Sequence, residues 1–126
     1  MKHQLLAAVV LAAGFALQAH AGCDYPVAPG KFPDGAQASL DEMKAAKASV
    51  VKYNADMEAY LECIKSEYDA KVATQTDATA EQKAEMEKVQ NQKHNAAVDE
   101  VTDVTNRFNE QLRAYKAKAA AEKKPS

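Results

Sequence analysis

From Ala36 to Lys124 the chain contains neither glycine nor proline. These are the two strongest local breakers of regular structure, so this stretch is free to run as very long helices. Its wealth of Ala, Lys, Glu, Gln and Asp points the same way. Aromatic residues make up 6% of the chain and Trp is absent, which suits long exposed helices better than a thick globular core.

Helical periodicity begins directly after a turn signal, Pro33-Asp34-Gly35. Ser39 followed by Glu42 forms a capping box, and Asp41 adds negative charge to the first turn. With Leu40 at heptad position a, the a positions are Leu40, Lys47, Asn54, Leu61 and Tyr68. The d positions are Met43, Val50, Met57, Ile64 and Lys71, and Ala46, Tyr53 and Tyr60 flank them at g. This is an amphipathic seam with polar interruptions.

A cluster of polar, cap-forming residues from Thr74 to Thr79 reads as a turn. Thr79 and Gln82 make a second capping box, and Val101, Val104, Phe108, Leu112 and Tyr115 recur at helical spacing beyond it. The resulting plan is a helix over 39–73, a turn over 74–79, a helix over 80–121 and a basic tail over 122–126. Two long helices joined by a short loop fold back antiparallel. A turn near residue 77 sets Ile64 beside Gln90, Val50 beside Val104 and Leu40 beside Tyr115. Between Glu81 and Asn95 only Ala84, Met86 and Val89 are apolar, so packing thins toward the tip.

The N-terminal residues carry the parts of an export signal: Lys2, an uncharged apolar run from Leu5 to Leu17, then Ala19-His20-Ala21. The run holds about 13 residues, short of the ~20 a membrane-spanning helix needs. Residues 1–21 are therefore expected to be a cleaved signal peptide, the mature chain starting at Gly22 in the periplasm or outside the cell. Loss of Lys2 leaves 15 basic residues against 18 acidic, a net charge near −3. That balance argues against nucleic acid as a partner.

Cys23 and Cys63 are the only cysteines. In an oxidising compartment a pair is most simply a disulfide. A redox-active pair, a metal pair, or lipid attached to Cys23 beside a free Cys63 are the alternatives. The lipid signal calls for an aliphatic residue where this chain has His20. Cys63 lies about 36 Å along the first helix from Ser39, while the segment from Cys23 to Ser39 reaches ~50 Å extended. A bridge thus requires the Pro/Gly-rich arm, residues 22–38, to fold back along the helix. Tyr25, Val27, Phe32 and Pro26 could then cover the hairpin groove; dimerisation through the same face is the rival solution.

Candidate chemistry is sparse. His94 has Asn91 where a di-iron or zinc helix motif places Glu, and Met43 and Met57 fall on the packing stripe, with Met86 on the second helix. Glu58/Glu62, Glu81/Glu85 and Asp99/Asp103 read as solvated helix faces. No catalytic, cofactor or metal set emerges, so an enzyme is not expected. Arg113, Lys116, Lys118, Lys123 and Lys124, opposed by Glu122, form a basic end that either complements the helix dipole or meets an anionic surface.

Ala59-Tyr60-Leu61-Glu62-Cys63, His94-Asn95-Ala96-Ala97-Val98-Asp99-Glu100 and the block from Phe108 to Lys116 resemble short blocks in an uncharacterised family of small exported helical proteins of Gram-negative bacteria. Those proteins also pair an early cysteine with a Pro-rich start. The resemblance implies export and a hairpin and carries no activity. The expectation is an all-α, antiparallel two-helix hairpin, coiled-coil-like, with an extended Pro-rich N-terminal arm held by Cys23–Cys63. Such a protein would act through contacts along its helices, as adaptor, structural or chaperone-like component, with a homodimer or an unknown protein partner meeting the Tyr53/Tyr60 flank. The alternative is a module that binds an anionic surface through Arg113, Lys116 and the basic end, in peripheral contact with the envelope.

Overall fold

The computed structural model describes residues 22–125; the export signal expected over 1–21 lies outside them. Two helices, α1 (Leu40–Thr74) and α2 (Ala80–Glu122), pack against each other, and no strand occurs among the described residues. Both capping boxes form. Ser39 accepts from the Glu42 N–H while Glu42 accepts from the Ser39 N–H, and Thr79 and Gln82 do the same for α2. Each box satisfies amides that the first turn leaves without partners.

The core is narrow and lies along the middle of the hairpin. Met43, Ala46, Val50, Tyr53, Met57, Tyr60 and Ile64 of α1 are buried, with Ala97, Val104 and Phe108 of α2. The α1 seam therefore runs through positions d and g, rather than a and d. Lys47 is exposed, Leu40 is 53% exposed, and Leu61 and Tyr68 are only half-buried. The physical cause is a third layer. The arm packs along one flank of α1 and draws the buried stripe toward itself.

Arm and helices have a definite sense. The arm passes Cys63, then Tyr60, then Ala46, so it runs antiparallel to α1. It meets Glu100, Arg107, Gln111 and Lys118 in increasing order, so it runs parallel to α2. The turn at its end forms as its residues demand. Asp34 accepts from the N–H groups of Ala36, Gln37 and Ala38.

The expected register holds at the tip, where Ile64 and Gln90 line one groove, and in the middle, where Val50 and Val104 share the core. At the open end the arm enters beside Tyr115: a Cβ on Gly35 would lie 2.9 Å from the Tyr115 nitrogen, while Leu40 is 53% exposed. Packing thins beyond Ile64 and Ala97 as the sequence led us to expect, since no residue nearer the tip is buried.

Candidate functional site

Cys23 and Cys63 form a disulfide with Cα atoms 5.7 Å apart, and no cysteine is free. The bridge engages the Cys23 sulfur that lipid attachment would need. An oxygen of Glu67 and the two sulfurs lie within 4.8 Å of one another. Sulfurs bonded to each other are not thiolates, however, and make poor metal ligands.

Beyond the bridge the arm is held by aromatic and polar contacts. Tyr25 stacks edge-on against Tyr60 at 4.8 Å between centroids, and its hydroxyl donates to Glu100 at 2.5 Å. Desolvation first, then the hydrogen bond and charge of Glu100, push the Tyr25 phenol well above its ordinary pKa, even though the residue is 42% exposed. Tyr53 lies beneath, its pKa raised by burial and then by the same carboxylate, its buried oxygen without a well-formed hydrogen bond. Phe32 packs edge-on against Phe108, with the Arg107 guanidinium 5.7 Å from its ring centre. Arg107 also donates to the Gly30 carbonyl, and Lys118 to that of Ala38.

Several expectations are corrected here. Tyr53 and Tyr60 are 2% and 9% exposed, so they are core residues beneath the arm and not a flank open to a partner. Val27 is 93% exposed and covers nothing. In extended backbone its side chain points opposite to those that pack. Pro26 and Phe32 are half-buried, and Ala28 joins the residues packed on the core. Sequence reasoning missed the anchors Glu100, Arg107, Gln111 and Lys118. They recur at spacing 7, 4 and 7, which places them on one face of α2, but nothing in their types announces an arm.

His94 is exposed, Met43 and Met57 are core, and the three carboxylate pairs are exposed. Near the tip, where the arm has ended, Ile64, Tyr68, Met86 and Val89 line an open groove of about 560 Å³. At the other end Arg113 and Lys116 are exposed, and neither is in an ion pair among the described residues. The last turn of α2 carries no basic residue. The helix dipole is felt only within that turn, so Arg113 and Lys116 do not serve it.

The arm closes one of the two grooves between the helices. On the opposite side Leu61, Val101 and Leu112 are half-buried, while Leu40, Val51 and Val98 are 53%, 59% and 41% exposed. This open face and the tip groove are the apolar surfaces of the hairpin that the arm leaves uncovered. Among the described residues no helix is long and apolar enough to cross a membrane. Comparison with known protein families, with curated proteins and with solved structures finds no match to this chain.

Proposed function

We propose that this is a non-enzymatic exported protein of the cell envelope that works through contacts along its helices, as an adaptor, structural or chaperone-like component. The export signal and the resemblance to small exported helical proteins favour the periplasm or the exterior. The disulfide fits an oxidising compartment. One observation carries the reading: the arm covers a single groove of the hairpin and leaves apolar residues of the other, Val51 and Val98 among them, in water. A hairpin with one open groove is suited to a second copy or a protein partner. Light scattering and crosslinking of the exported protein test this. A dimer or complex lost in Val51→Asp/Val98→Asp supports it; a monomer that retains no partner from envelope extracts rejects it.

A second reading, contact with an anionic surface through the basic end of α2, is favoured by the exposed, unpaired Arg113 and Lys116. It predicts salt-sensitive binding that disappears when residues 113–126 are deleted.

A further inference from the structure

The open face carries a charge pattern that its two helices share. Leu40, Lys44, Lys47 and Val51 follow one another at spacings of 4, 3 and 4, which puts them on one side of α1. That side is turned away from Glu42, Ala45 and Ser49, which line an open groove together with the arm. On α2, Val98, Leu112 and Lys116, with Lys123 at the cap that follows, share the side turned away from Glu100, Gln111 and Lys118, which hold the arm. Both stripes therefore look out of the same face. All four lysines on them are exposed, and Arg113 stands exposed at the rim.

No acid falls on either stripe between Leu40 and Asn54 or between Val98 and Lys123; past Asn54 the α1 stripe continues with the exposed Glu58 and Glu62, level with Val98, and the cationic patch ends there. Glu42 is held in the capping box and Glu110 lines the arm's flank with Asp34 and Arg107; Asp41 lies on the outer edge. An acid-free concentration of cations is unexpected in a chain whose formal net charge is −2. Small aliphatic side chains stand among the cations, with no exposed aromatic ring.

We propose that this face of the hairpin lies flat on an anionic phospholipid bilayer. The lysines meet headgroup phosphates, while Leu40, Val51 and Val98 enter the boundary between headgroups and chains. The inference rests on the second functional reading, extends it from the end of α2 to both helices, and gives the open face to lipid in place of the protein partner of the first reading. Charge complementarity selects the lipid. The net negative charge elsewhere fixes the orientation, because the opposite face is repelled.

The exported protein, its disulfide intact, is sedimented with vesicles of phosphatidylglycerol and phosphatidylcholine, and with pure phosphatidylcholine, at low and high salt. Binding to the anionic vesicles alone, weakened by salt, is expected. Each cation near such a surface contributes roughly five-fold to partitioning, so Lys44→Glu/Lys47→Glu should weaken binding by more than ~25-fold. Val51→Ser should weaken it several-fold with the salt dependence unchanged. These positions are exposed, and circular dichroism verifies that the variants stay folded. If the α1 variants bind like the parent while Arg113→Glu/Lys116→Glu does not bind, the two-helix face is overturned and the reading by the basic end stands. Retention on an anionic polysaccharide with no vesicle binding has the same meaning. Binding to neither overturns both.

Discussion

Gly35 sets the backbone of the arm's turn directly against that of α2 at Gln111. The Gly35 N–H donates to Gln111 Oε1 at 2.9 Å, and a Cβ at Gly35 would lie 1.8 Å from the Gln111 carbonyl oxygen. Its φ is not positive, so glycine is needed for space and not for conformation.

Gly35→Ala must therefore push the turn off α2 and break the hydrogen bond. We expect a loss of about 3 kcal/mol, at the upper end of ordinary substitutions. Gly30→Ala is the control, since nothing lies within 4 Å of its added Cβ. Urea melts of both variants check the contrast; equal stabilities would refute the contact.

The disulfide joins positions separated by 40 residues. On the chain-entropy account it stabilises the fold by about 4 kcal/mol. Cys63→Ser should lower the midpoint of denaturation accordingly, and the oxidised parent should show no titratable thiol. Reduction should also expose residues 23–34 to proteolysis well before the helices, because the arm has no backbone ladder of its own.

Much of this arrangement could be read before the structure. Breakers, caps and the Thr74–Thr79 turn placed both helices to within about a residue, and spacing alone required the arm to fold back. The arm's seat could not be read. Val27 and Phe32 are both apolar, yet one is in water and the other packs on Phe108, because the phase of an extended segment depends on its two ends. The change of seam from a/d to d/g has the same origin. A heptad pattern assumes one neighbour per helix, and α1 has two. Glu100 and Arg107 look like any solvated helix residues until the arm lies across them.

The Tyr25–Glu100 contact should make the protein alkali-sensitive. In the folded state the phenol holds its proton to higher pH than in the unfolded chain, where it titrates near 10. The stabilisation is complete below about pH 10 and is lost as pH rises further, because the unfolded chain ionises first. Tyr53 shifts in the same direction. Tyr25→Phe should cost about 1 kcal/mol at neutral pH, discounted for its exposure, and flatten the alkaline fall of Tm. An unchanged alkaline slope would show that the hydrogen bond is not formed in solution.

At the acid end the α1 capping box contributes. The Ser39 N–H, then its hydroxyl, hold Glu42 below the ordinary carboxylate value of 4.5, with Lys118 adding attraction. A depressed folded pKa gives stability that is present above 4.5 and lost as pH falls through and below it. Glu42→Gln retains an acceptor for the Ser39 N–H without the titrating charge. Its Tm should fall less steeply than the parent's in acid, a comparison that thermal scans across the acid range decide.

Asn54 gives a prediction of the opposite sign. Its Oδ1 is buried without a hydrogen-bond partner, in a half-buried side chain at an a position that borders the buried d/g seam on the open-face side. A buried acceptor left unpaired costs about 1–3 kcal/mol, whereas an apolar group of similar shape carries no such cost. Asn54→Leu should therefore raise stability by about 1 kcal/mol. Asn54→Asp should lower it by more than that, since a charge then replaces the unsatisfied oxygen. Denaturation midpoints, compared at constant dependence on denaturant, separate the two. If Leu destabilises, Asn54 has found a donor in solution, and the open face beside it is then the first place to look.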